Sequence, residues 1–316
     1  MRVARKKLTK TGCYYHLMNR VAGEEHSYPL GDVDREYGMK LVKRLSEYYL
    51  LEFISMCWMG NHFHIVLYAP PVSELTSDEE IAARHNAFYG ERHPRNIDAS
   101  DSAACAKTGA DMVDISRFMK DFQQRYVFYF NKTHRRRGHF WADRFKSTIL
   151  EGRQALWTAV KYVELNPVRA GLAAEPADYR HCTWGWMSGS GAHPFGDSFF
   201  KHMRRSLGES AAGMTREELH ALFRSELART IANESSLDEE ETRAKMRKAE
   251  RGETMPVRFL RRTRHWTDGG IIGSKSFVRD VALKLGDGAK RAGKRFSRGA
   301  VDDGHLYCYK VLRASV

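Results

Sequence analysis

The residues with the clearest chemical potential are His62 and His64, separated by a single phenylalanine. On a β-strand, side chains two positions apart share a face. The two imidazoles therefore project together, while Phe63, Ile65 and Leu67 point to the opposite, core-facing side. Two adjacent imidazoles can hold a divalent ion; a half-exposed strand that merely carries two polar residues has the same pattern. A metal there needs a third ligand and a reaction. Residues 153–166 offer both, because Leu156, Val160 and Val163 form a helical apolar stripe and Tyr162 and Asn166, four apart, share a neighbouring face. This predicts a phenol and an amide oxygen at the edge of a sheet, beside the histidines. On spacing alone, Tyr162 reads more readily as an amphipathic rim residue and Asn166 as a helix-end residue before Pro167.

The elements that must position these groups follow from periodicity. Residues 13–21 are aromatic-rich and read as a strand, and residues 35–51 carry Tyr37, Leu41, Leu45 and Tyr48 at helical spacing. Residues 52–58 and 62–68 are apolar strands joined through Met59-Gly60-Asn61, a hairpin connection. Residues 72–112 are polar and small-rich and read as an insertion, with a short helix at 78–89. Residues 114–132 form a helix with Ile115, Phe118, Phe122 and Tyr126 on one face; a strand lies within 140–150, and the helix 153–166 ends at Pro167 and Gly171. The order predicts an α+β fold: a ferredoxin-like, split βαβ antiparallel sheet with helices on one side. Composition shifts after residue 190. Residues 1–190 are expected to form a catalytic domain, and residues 191–316 a separate, basic, mainly helical appendage. Helices are expected at 215–233 and 237–251. Residues 274–286 place Phe277, Val281 and Leu285 on one stripe, which suits a helix-turn-helix with residues 269–273 in its turn, or else a cap on the catalytic domain. A fragment ending near residue 200 is expected to keep the chemistry and bind its partner less tightly.

The chain has 316 residues, of which 42% are hydrophobic, enough for a substantial core. Its 52 Lys and Arg against 39 Asp and Glu give a net charge of +13, which favours a polyanionic partner through counterion release. The five cysteines are odd in number and show no C-x-x-C spacing, which argues against a disulfide framework and a zinc finger. No apolar core follows the basic start and no run reaches membrane-spanning length, so a cytoplasmic, nucleoid-associated protein with no membrane partner is expected.

Four segments together resemble the REP-associated tyrosine transposases, within the IS200-like single-tyrosine transposases of the HUH nuclease superfamily. They are YYHLMNRV (14–21), WMGNHFHIVLY (58–68), GHFWADRFKS (138–147) and KYVELNPVRAGL (161–172), in the family's order, and the resemblance covers about residues 10–185. It implies that His62 and His64 bind the metal, that Tyr162 is the nucleophile and that Asn166 is the third metal-coordinating side chain. Tyr126 and Tyr129 compete for the nucleophile's role less well, and Tyr14 and Tyr15 read as sheet residues. The implied cofactor is Mg²⁺ or Mn²⁺, the implied partner single-stranded or hairpin DNA, and the implied reaction transesterification through a 5′-phosphotyrosine. The insertion at 72–112 and the region after 190 depart from compact members of that family.

DNA contacts are expected from Lys132, Arg135, Arg136, Arg137, Arg144 and Lys146 around the site, from Arg20, and from an N-terminal cluster that includes Arg5 and Lys7. Phe140 and Trp141 could stack on an unpaired base, but they read more readily as core residues. Two other readings are a non-catalytic nucleic-acid binder on the same sheet and a phosphoesterase that uses water, with Tyr162 structural. The sequence leaves open whether the chain acts as a monomer or a homodimer.

Overall fold

Strands that alternate aliphatic and aromatic residues on both faces must be covered on both faces, and this governs the architecture. A computed structural model describes residues 7–24, 27–90, 92–235, 266, 270–285 and 306–309. The chain runs β1 (Cys13–Arg20), α1 (Asp32–Tyr48), β2 (Glu52–Trp58) and β3 (His62–Ala69), then α2 (Asp78–Tyr89), α3 (Ser102–Met112) and α4 (Ile115–Thr133). It continues with β4 (Lys146–Leu150), α5 (Gln154–Glu164), α6 (Asn166–Arg169), α7 (Thr183–Ser190), α8 (Ser198–Leu207) and α9 (Arg216–Ser235). Last come β5 (Ile271–Gly273), α10 (Lys275–Lys284) and β6 (Tyr307–Tyr309).

The six strands form one sheet in the order β2-β3-β1-β4-β5-β6. All neighbours are antiparallel except β4 and β5, where Ile149 and Leu150 pair in parallel with Ile271 and Ile272. The sheet is thus mixed, where an antiparallel one was expected. Helices on one side were also expected, and this is corrected: one apolar cluster joins Leu17, Phe53, Phe63, Ile65 and Leu67 to α1, α4 and α10, and a second joins Ile54, Cys57, Val66 and Leu150 to α5, α7, α8 and α9. Close approach on the first face depends on Gly38 of α1, where a Cβ would sit 2.3 Å from the Trp58 indole.

The insertion is more ordered than its composition suggested. Besides α2 it holds α3, capped by the Asp101 side chain accepting from the Ala104 amide at 2.9 Å. The separate appendage after residue 190 is also corrected for the described residues. Phe199, Met203, Phe223 and Trp266 belong to the second cluster, Lys161 on α5 bonds Glu226 on α9 at 2.9 Å, and β5 and β6 extend the sheet itself. Residues 271–273, read as a turn, are a strand. Ser274 then caps α10 by accepting from the Phe277 amide at 3.3 Å, so a strand-to-helix junction stands where a helix-turn-helix was expected. The helix expected at 237–251, Arg5 and most of the Arg- and Lys-rich tail lie outside the described residues. No helix among the described residues is long and apolar enough to cross a membrane.

Candidate active site

β3 carries His62 and His64 on the face covered by α5, while Phe63, Ile65 and Leu67 enter the opposite cluster. Register places Arg20 of β1 beside His62 and Met18 beside His64. The centroids of the two histidine rings lie 5.0 Å apart.

Hydrogen bonds fix the state of both rings. The Asn61 amide nitrogen donates to the Ser27 carbonyl at 3.0 Å, which turns its oxygen toward His62 Nδ1 at 2.7 Å. An amide oxygen only accepts, so His62 Nδ1 carries the hydrogen and Nε2 keeps a lone pair. His64 is set by a longer chain that begins at His16 on β1. The Trp266 carbonyl lies 3.0 Å from His16 Nδ1, so that nitrogen must donate. Burial lowers the His16 pKa to about 4 and so keeps the ring neutral, which leaves its Nε2 as an acceptor. It accepts from His64 Nδ1 at 2.9 Å. His64 Nε2 is therefore a bare lone pair, and it is buried with no hydrogen-bond partner. Burial holds His64 far below the ordinary histidine range and brings His62 down to about 4, the Arg20 charge adding to the effect at His62.

Tyr162 meets this pair from α5, its ring centroid 5.6 Å from that of His64 and 6.0 Å from that of His16. It was expected at the rim and is instead 1% exposed. The reason is Trp266, whose indole stacks on the phenol ring at 5.4 Å while its carbonyl also accepts from Thr148 Oγ1 at 2.8 Å. The Tyr162 hydroxyl is buried without a hydrogen-bond partner. Burial pushes its pKa up, opposed by the Arg169 guanidinium 5.8 Å from the ring centre. Asn166, at the start of α6, donates through Nδ2 to the carbonyls of Tyr162 and Val163 at 3.0 and 3.4 Å, leaving its Oδ1 as the end that can serve a ligand.

The last turn of α5 is anchored by Glu164, a fully buried carboxyl whose pKa burial raises. It accepts from Ser55 Oγ at 2.7 Å, from Thr183 Oγ1 and from the Trp184 amide at 3.0 Å, tying α5 to β2 and α7. Its position holds Tyr162, two residues earlier, over the histidines.

The structure thus brings together His62, His64 and Tyr162, adds His16, Arg169 and Trp266, and puts Asn166 one helical turn beyond Tyr162. Among the described residues no group of three His, Cys, Asp or Glu is placed to hold a metal ion. A metal here would take two imidazole nitrogens and the amide oxygen of Asn166, and the orphaned His64 Nε2 fits that use. The competing tyrosines lie in the cluster on the other face of the sheet. Tyr126 donates to the Asp34 carbonyl at 3.1 Å and Tyr129 to Asp34 Oδ1 at 3.4 Å. Phe140 and Trp141 are buried core residues, not open stacking platforms. Of the basic residues, Lys132, Arg135, Arg136, Arg137, Arg144 and Lys146 are exposed, Arg20 flanks His62, and Lys7 is paired with Asp114 at the start of α4.

No protein-family model and no curated protein matches the sequence. A solved structure of a REP-associated tyrosine transposase bound to a REP hairpin overlaps 60% of this chain and 87% of its own, at 11% identity and a TM-score of 0.38. A likeness of that size carries no argument about function, which rests on the residues.

Proposed function

We propose that this chain is a metal-dependent single-strand DNA endonuclease and strand transferase, a transposase or a domesticated descendant of one. We read β1, α1, β2, β3, α4 and β4 as the split βαβ core that carries it. The observation that supports this most is the pairing of two buried, unpartnered polar atoms, His64 Nε2 and the Tyr162 hydroxyl, on rings that touch. Burying either without a partner costs on the order of 1–3 kcal/mol, and two such atoms on adjoining rings suit a site that receives a metal and a phosphodiester.

Tyr162 attacks the phosphorus, forming a tyrosine–phosphate bond as the bond to the 3′-oxygen breaks. The phenol proton is in balance with the new 3′-OH, and the 5′-phosphotyrosine keeps the energy of the diester for rejoining without ATP. His62, His64 and Asn166 Oδ1 would hold Mg²⁺ or Mn²⁺, which supplies Lewis-acid polarisation of the phosphate oxygens when bound. Two nitrogens in the donor set favour Mn²⁺, since Mg²⁺ prefers oxygen. Arg169 offsets charge at the phenol, and Arg20 lies beside His62 for a phosphate. Hairpin or palindromic DNA is the proposed substrate, because attack in line with the leaving oxygen needs an exposed single strand.

A second reading, a non-catalytic nucleic-acid binder, is favoured by one observation: Trp266 covers the phenol. The experiment that separates them is incubation of the wild type, Tyr162→Phe and Trp266→Ala with a hairpin library and Mn²⁺, followed by a denaturing gel. Covalent adducts with the wild type, more with Trp266→Ala and none with Tyr162→Phe are expected. Hairpin binding without adducts in any of the three would establish the binder.

A further inference from the structure

The outward face of α4 presents Ser116, Lys120, Gln124, Phe128 and Lys132 at intervals of four, so they align as one stripe. With Trp141 and Arg144 across from it, this stripe walls an open groove of about 950 Å³. Lys120, Lys132, Arg136 and Arg144 line the groove, and its lining residues include no carboxylate. Phe128 stands in it 74% exposed. Arg136 is held at its end, its guanidinium 5.7 and 5.9 Å from the ring centres of Phe130 and Phe140. At Trp141 the groove adjoins the end of β1 that is paired with His62, whose side chain lies on the opposite face of the sheet. Trp141 bridges Val21, the Ala142 amide donates to the Arg20 carbonyl at 2.9 Å, and Arg20 pairs with His62.

We propose that this groove binds single-stranded DNA, the unpaired stretch next to the scissile linkage, with Phe128 as a base-stacking platform. A basic channel that tracks phosphates and an open aromatic ring that meets a base face are the two parts of sequence-tolerant single-strand binding. A duplex keeps its base faces stacked and has no use for the ring. The direction of the strand toward His62 rests on the proposed function; the binding rests on the groove alone.

The test is fluorescence anisotropy of the full chain with labelled oligo(dT) and with blunt duplex of the same length, without metal and in the Tyr162→Phe background. Failure of the cleavage reading then leaves the measurement intact. Phe128→Ala is expected to weaken oligo(dT) binding about tenfold, the scale of one stacked base, and to leave duplex binding unchanged. Phe128→Trp is expected to keep the affinity and to show indole quenching by the bound strand. Lys132→Gln and Arg136→Gln should each lower the slope of log K against log salt by about one. The ring projects into solvent, so these changes leave the core untouched. Unchanged oligo(dT) affinity in Phe128→Ala, or an equal loss for duplex, overturns the proposal. So does a wild-type dimer that dissociates on Phe128→Ala in sedimentation, which would make the groove a contact between copies.

Discussion

On the α4 face of the sheet, Tyr126 is wholly buried and its hydroxyl donates to the Asp34 carbonyl at 3.1 Å; on the α5 face, Tyr162 is as deeply buried and its hydroxyl has no partner. The first face is close to a conventional core. Trp58, Phe63, Phe122 and Tyr126 pack in stacked and edge-on pairs, and the Tyr48 hydroxyl bonds His85 at 3.1 Å, with Trp58 Nε1 the one unpartnered group in that set. The second face spends its polar groups on fixing each other's protons and leaves bare atoms at the end of the chain, His64 Nε2 and the phenol. Equal burial therefore conceals two different surroundings: the Tyr126 hydroxyl is paired, whereas the Tyr162 hydroxyl and His64 Nε2 are left bare side by side, where the proposed reaction would use them.

The strongest way to break this contrast is to remove the bare atoms. His62→Ala and His64→Ala, like EDTA on the wild type, are expected to abolish adduct formation on a hairpin substrate, whereas Tyr126→Phe leaves it at wild-type levels. Full cleavage in EDTA would remove the metal from the α5 face.

Next in size is truncation. A chain ending at residue 200 loses Phe223, Trp266 and the Lys161–Glu226 pair, which uncovers α5 and Tyr162. It is expected to be insoluble or to unfold without a cooperative transition, as read by circular dichroism on heating. A soluble fragment with a sharp transition would restore the separate appendage that the sequence suggested.

His16 comes third. His16→Phe keeps a ring in the stack but frees His64 Nδ1, and is expected to weaken Mn²⁺ binding on the order of 10- to 100-fold by titration calorimetry. His16→Gln can still accept from His64 and donate to the Trp266 carbonyl, so it should recover most of that loss. Equal affinity for all three would confine His16 to packing.

The smallest effects are on stability. Tyr126→Phe should cost about 1 kcal/mol, the scale of one buried hydrogen bond, in chemical denaturation. Tyr162→Phe removes an unsatisfied hydroxyl and should be neutral or slightly stabilising. A loss at Tyr162 as large as at Tyr126 would show that the phenol has a partner after all.

Much of this was legible in the sequence, and the failures have physical causes. Strong periodicity made β1, α1, the β2–β3 hairpin, α4 and α5 readable nearly to their ends, and alternation put His62 and His64 on one face. The same alternation in β1 places Tyr14, His16 and Met18 on one face, but only strand order reveals that His16 abuts His64, and order is not a local property. The near-continuous apolar character of FISMCW and HIVLYA was a sign of cover on both faces. Trp266 stands alone in a basic stretch with no pattern around it, and β5 and β6, at three residues each, are too short for alternation to appear. Asp101 at the head of α3 was a readable cap, masked by the small and polar residues around it.

The parallel pairing of β4 with β5 has a consequence in time. Trp266, whose carbonyl receives the Thr148 hydroxyl, lies 118 positions further along the chain. Contacts of such sequence separation are slow to form, and a chain made from its N-terminus completes β1–β4 and α5 well before they exist. During synthesis the phenol of Tyr162 is thus open while the protein is unfinished, and it is shut away only when the last third arrives. The nascent chain and the released one present different surfaces to their surroundings.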